Sequence, residues 1–193
     1  MTVDWTTLWP LILTSSVVAA FLTYGLGLVK DYLTQKRDAD FAALYVALTL
    51  ENYASRCASV LGDIGDFLSS SGNAGAAHGN VPQLESFEGE IEWKALGIKL
   101  TSKALSFRVR VNHTREMLSD LSQHINEEII EEARDHSVNL GLEAIAIAES
   151  FRKTRRLGDA LPVSDWSTKK WLQEKADLIA ERKAKEAALG GSL

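Results

Sequence analysis

The sequence predicts an all-α protein: an N-terminal transmembrane helix followed by a bundle of three to four long helices. Three observations carry this. Residues 8–29, LWPLILTSSVVAAFLTYGLGLV, contain no charged side chain. Beyond them, apolar residues recur three, four or seven apart over long stretches, the period of an α-helix. Prolines occur only at positions 10, 82 and 162, and the last two fall in gaps between helical patterns. Proline disrupts a helix interior, so its placement suits long uninterrupted helices that can pack in coiled-coil fashion.

The uncharged run would span roughly 33 Å as a helix, enough for the hydrocarbon core of a bilayer. Trp5 and Trp9 lie at one edge, and Tyr24 and Tyr32 toward the other. Amphipathic aromatic rings favour the headgroup level. Pro10 falls in the first turn, where a missing N–H costs little. The residues expected to form the anchor are Trp9, Leu11, Val18, Phe21, Tyr24 and Lys30. A buried core helix is the rival reading, but so long an uncharged run exceeds the usual core helix. A cleaved signal peptide needs a basic start. Residues 1–7, MTVDWTT, carry no Lys or Arg. Lys30, Lys36 and Arg37 follow the run and no cation precedes it, so the positive-inside rule puts the N-terminus outside and the rest in the cytoplasm. The expected location is the inner membrane, crossed once. The lone cysteine, Cys57, cannot form an internal disulfide and lies on an apolar stripe, as a small core residue does.

The chain divides into an anchor (1–30), a bundle core (31–163) and an amphipathic C-terminal helix with a fraying tail (164–193). Residues 31–70 continue the anchor, with Phe41, Leu44, Tyr45, Leu48, Leu61 and Ile64 at helical spacing. Residues 69–83, rich in Gly, Ser and Asn, read as a loop with little to bury, and His78 within it reads as solvated. Residues 93–121 form a second, central helix, with Leu96, Leu100, Phe107, Val111 and Leu118 as core and Ile98, Leu105 and Val109 widening the stripe. FRVRV at 107–111 alternates like a strand, but only briefly and inside a longer helical pattern. The third helix, 126–157, begins with Asn126 and several glutamates and ends with Arg152, Lys153, Arg155 and Arg156; acid at the start and base at the end suit the helix dipole. Its core residues are Leu140, Ile147 and Phe151, and Gly158 is the expected C-terminal cap. A fourth helix starts near Ser164 or Asp165 and carries Trp166, Leu172, Ala176 and Ile179.

With 193 residues and a formal net charge of −5, the chain is not a basic nucleic-acid binder. It holds no phosphate-binding glycine loop, CxxC pair, HExxH or G-x-S-x-G sequence. The nearest approach to an enzyme site is Glu128, Glu132 and His136, four apart on one helical face. Di-metal sites in bundles use Glu-x-x-His pairs, and here the histidine falls one position late. A solvated acidic face accounts for the set, so no catalytic residue, metal or cofactor is expected. The basic run at 152–156 could meet anionic lipid, but a solvated helix end explains it if the run lies far from the membrane. Ser15 with Ala19 and Ser16 with Ala20 have the small-xxx-small spacing that lets membrane helices approach.

The segment IEWKALGIKLTSKALSFRVRV, with GLEAIAIAESFRKTRRLG further along, resembles small bacterial single-pass, membrane-anchored helical proteins of uncharacterised activity. The resemblance covers roughly the soluble half and implies no activity and no site residue. The expected function is a non-enzymatic membrane-tethered interaction or scaffold module, with the lipid bilayer and either a protein partner or a second copy of itself as partners. The alternatives are a bundle enzyme with a carboxylate–histidine metal site and a phage-type lysis or holin-like protein. The soluble part is large for the latter.

Overall fold

The computed structural model describes residues 5–87, 91, 93–121, 127–160 and 166–190, with side chains described from Tyr24 onward except at Gly25 and Gly190. Every regular element among them is a helix: α1 (Trp5–Ser69), α2 (Trp93–Leu96), α3 (Ile98–Leu121), α4 (Glu127–Arg155) and α5 (Thr168–Gly190). FRVRV accordingly lies within α3.

α1 runs 65 residues without a break, roughly 97 Å of helix. From Tyr24 to Asp38 its described side chains are exposed; burial begins at Ala39. From there Ala39, Ala43, Val46, Leu50, Tyr53, Cys57, Leu61 and Ile64 recur every three or four residues as a buried stripe. The expected stripe held at Leu61 and Ile64 but not in the preceding turns. Phe41 is 64% exposed, and Tyr45 and Leu48 are exposed as well. They share the helical period but lie on the opposite side of α1, and the alanines won the inward face because small residues let another backbone come close.

That backbone is α4, the helix with which α1 has its most extensive contact. α4 brings Ala133, Gly141, Ala144 and Ala148 to the same core. A Cβ built on Gly141 would lie 3.1 Å from the Cβ of Cys57 on α1 and 2.9 Å from the Leu172 Cδ1 on α5, so three helices meet where a side chain is missing. The seam of α1 and α4 is therefore the centre of the bundle. The segment 93–121, predicted to be central, flanks it.

That segment is also not one helix. Gly97 takes φ +81° and separates α2 from α3, a conformation that costs glycine nothing. The Thr101 hydroxyl donates to the Trp93 carbonyl across the break at 3.0 Å. Leu96, Leu100, Phe107, Val111 and Leu118 are all buried as expected, and so are Leu140, Ile147 and Phe151 of α4. Phe107 stacks edge-on against Tyr53 with ring centroids 5.6 Å apart. Ile98, Leu105 and Val109, expected to widen the α3 stripe, face outward instead; Ile98 is 89% exposed. α3 lies at the side of the bundle and needs only a narrow stripe.

The connection after α1 buries more than its composition suggested. Val81 and Leu84 enter the core. The Asn80 amide donates to the Arg115 carbonyl at 3.0 Å and to the Ser119 hydroxyl at 2.8 Å, while Arg115 donates back to the Val81 carbonyl. His78 Nε2 lies 3.1 Å from an Asp63 carboxylate oxygen rather than in open solvent.

At the end of α4, Arg156 takes the left-handed conformation, φ 55°, and the Leu157 N–H bonds the Arg152 carbonyl at 3.0 Å. The cap thus falls two residues before Gly158, and a non-glycine residue accepts the strain that a Schellman-type ending imposes. α5 begins at Thr168, where the Ser167 hydroxyl accepts the Lys170 N–H at 3.3 Å. Asn126, Ser164 and Asp165, the predicted caps, lie outside the described residues.

Candidate functional site

The exposed stretch of α1 is the first candidate. Between residues 24 and 33 it presents Tyr24, Leu26, Leu28, Val29, Tyr32 and Leu33, with Leu26 69% and Tyr32 67% exposed. At 100° per residue these side chains cover roughly 200° of the helix circumference, and Gly27, Lys30 and Asp31 take the rest. Charge enters at Lys30 and Asp31, then at Lys36, Arg37 and Asp38. Tyr24 and Lys30, two residues expected of the anchor, are both exposed here. The side chains of Trp9, Leu11, Val18 and Phe21 lie outside the described residues. Among the described residues, no helix is long and apolar enough to cross a membrane.

A groove of about 1160 Å³ lies between α1, α4 and the start of α5. Leu48, Ile145 and Trp166 supply apolar wall, and Asn52 and Ser55 supply polar groups. Four of its charges are paired within the protein, while Lys153, Arg156 and Asp159 at its rim are exposed. Arg152 holds Glu51 with two parallel hydrogen bonds, 2.6 Å from Nε and 2.9 Å from a terminal nitrogen. Carboxylate bonding raises the Arg152 pKa further above its ordinary value. Lys169 pairs with Glu149 at 2.6 Å. Such pairing positions helices and ties up these four groups.

The carboxylate–histidine set does not converge on an ion. His136 Nε2 lies 3.3 Å from Glu132 in an ordinary i,i+4 pair, and Glu128 is exposed one turn earlier. Among the described residues no group of three potential ligands comes together. The neighbouring row does something the sequence did not indicate. Asp135, buried with a side chain 10% exposed, receives Arg182 of α5 at 3.2 Å and Lys183 at 2.8 Å. Glu131 also pairs with Arg182. The hydrogen bond to Asp135 raises the Lys183 pKa. Only the fold could reveal this, because the partners are some 50 residues apart in sequence.

Cys57 is free and wholly buried. Burial pushes its thiol up to about 12, and burial together with the Cys57 contact raises the Tyr53 phenol as well. A thiol so far from ionisation is no nucleophile at neutral pH. Its role is to fill the space beside Gly141.

The architecture is thus a helical bundle from which α1 extends, its described side chains exposed from Tyr24 to Asp38. No protein-family model matches the chain, and no characterised protein or solved structure matches it either.

Proposed function

We propose that this chain is a non-enzymatic, membrane-tethered interaction module. Its N-terminal helix, residues 8–29, crosses the inner membrane once with the N-terminus outside, and its bundle stands in the cytoplasm. The observation that carries the reading is the stretch 24–33. Six large apolar side chains spread over more than half the helix circumference need apolar surroundings, and no other element of the described fold covers them. The sequence continues the same character back to residue 8, and the cations begin where the run ends. Paired charges in the groove and at Asp135 speak for a structural rather than a catalytic bundle. Phe41 and Leu48, exposed on the face of α1 turned away from the core, are available to a protein partner or a second copy.

Membrane fractions washed with alkaline carbonate test the tether: the protein stays with the pellet. Release of intact protein into the supernatant would overturn the reading. Reporters fused to Leu193 test the topology. A cytoplasm-dependent reporter is active there, and activity from a periplasmic reporter alone would reverse the orientation.

A further inference from the structure

The fold answers how far the basic run of α4 stands from the anchor. α1 and α4 are antiparallel: Asp40 lies 3.9 Å from Arg155, Glu51 bonds Arg152, and Cys57 sits beside Gly141. The end of α4 is therefore level with the point where α1 enters the bundle. α3 is antiparallel to α4 in turn, with Arg110 bonded to Glu143 and Lys103 to Ser150, so its first residues reach the same end. α2 joins them, because Arg155 donates to the Ala95 carbonyl.

At this end these elements expose Lys94, Lys99, Lys153 and Arg156, together with the protruding Ile98. Of the acids nearby, Asp40 is engaged by Arg155, Glu51 by Arg152 and Glu149 by Lys169, leaving Asp38 and Asp159 exposed. Glu88, Glu90 and Glu92 lie outside the described residues. The opposite end is mainly acidic: Asp66, Asp120, Glu127 and Glu128 are exposed where α1 and α3 finish and α4 begins, and Arg182 and Lys183 of α5 near it are engaged by Glu131 and Asp135. The bundle is polarised, with its basic end on the side from which α1 emerges.

We propose that this basic end is a lipid-docking face that rests on the anionic headgroups of the cytoplasmic leaflet. The inference rests on the membrane-tethered reading. Ten residues of α1 separate Lys30 from Asp40, roughly 15 Å of helix. The headgroup layer fills about 5–7 Å of that. The remaining gap is close to one Debye length at physiological salt, and the usual tilt of a spanning helix, about 20°, narrows it on one side. Each cation brought to such a surface strengthens the contact roughly fivefold, and Ile98 is placed to enter the interface between them.

The test uses the full chain in vesicles. A fluorophore is placed at Ile98→Cys; buried Cys57 stays unlabelled. Energy transfer to a headgroup acceptor is compared between neutral phosphatidylcholine vesicles and vesicles with about a third phosphatidylglycerol. Transfer rises in the anionic vesicles, falls again in 0.5 M salt, and is lost in a variant carrying Lys94→Glu, Lys99→Glu, Lys153→Glu and Arg156→Glu. The corresponding four-Gln variant loses most of it, and a probe at Asp120→Cys, at the far end, shows no change. Equal transfer in both vesicles from a chain that floats with both overturns the docking face and leaves the tether intact. A chain that fails to float with neutral vesicles overturns the tether. The face then stands if the chain floats with anionic vesicles and the four-Glu variant does not, and falls otherwise.

Discussion

α4 and α5 both lie along α1, yet they are held there by different physics. α4 turns a continuous stripe inward, from Ile129 through Ala133, Val138, Ala144 and Ala148 to Phe151. α5 buries Leu172 completely and tucks Trp171, Ala176 and Ile179 in partway. What α5 lacks in buried area it replaces with charge: Arg182 and Lys183 on Asp135 and Glu131, and Lys169 on Glu149. Apolar burial is non-directional and grows with area, whereas exposed ion pairs contribute little and weaken in salt. α4 is thus part of the folding unit, and α5 is a docked element that opens at lower free energy.

Substitutions can sharpen that contrast or break it. The largest effect belongs to the core around α4. Phe151→Ala and Phe107→Ala each cost about 3–5 kcal/mol in urea unfolding followed by circular dichroism, because both rings are fully buried. A cost below about 1 kcal/mol at both would show that the core lies elsewhere.

Gly141 joins the two regimes. Gly141→Leu costs about 1–3 kcal/mol by overpacking and drives α5 off, since the new side chain meets Leu172 first. Gly141→Ala is milder, because the Leu172 methyl can swing aside while Cys57 yields a little. Hydrogen exchange reads the difference: amides of α5 lose protection in the Leu variant before those of α4. Uniform loss across both helices would erase the distinction.

Asp135→Asn comes next, at about 1–3 kcal/mol confined to α5 docking, for it leaves Arg182 and Lys183 without their buried acceptor charge. High salt should narrow the gap between this variant and the parent. A salt-independent gap would mean that packing, not charge, holds α5.

The smallest effect is a slope with pH. The folded pKa of Cys57, about 12, lies above that of an exposed thiol, so the unfolded chain loses its proton first. Stability is complete below about pH 9 and falls as pH rises toward 12, by about 1 kcal/mol at pH 10. The raised Tyr53 and Lys183 pKa values act in the same direction. Cys57→Ala therefore flattens the alkaline limb in part. An unchanged limb would place the thiol outside the core.

How much of this was legible beforehand varies by residue. The period of Leu100, Phe107 and Val111 marked the core face of α3 correctly, because a large apolar side chain in the middle of a stripe has little alternative. On α1 the same rule held at Leu61 and Ile64 but failed at Phe41, Tyr45 and Leu48, because a helix can carry two apolar faces. Which one turns inward depended on how closely α4 could approach, and that favoured alanine over bulk. The acidic row on α4 was read as a solvated face. Glu132 and Glu128 fit that description, while Asp135 is a buried anchor for α5, a fact held by Arg182 and Lys183 from a distant part of the chain.

Taken alone, the sequence determined the helical class, the breaks between the long helices to within a few residues though not the one at Gly97, and a charge-free run at the N-terminus. Those properties follow from local periodicity, proline and glycine chemistry, and uninterrupted hydropathy, all of which act over one or two turns. The tertiary structure decided which helices form the central seam, which apolar face of α1 stays bare, and that cations from α2, α3 and α4 gather where α1 leaves the bundle. Packing density and charge placement arise between segments far apart in the chain, and only their mutual approach selects one arrangement.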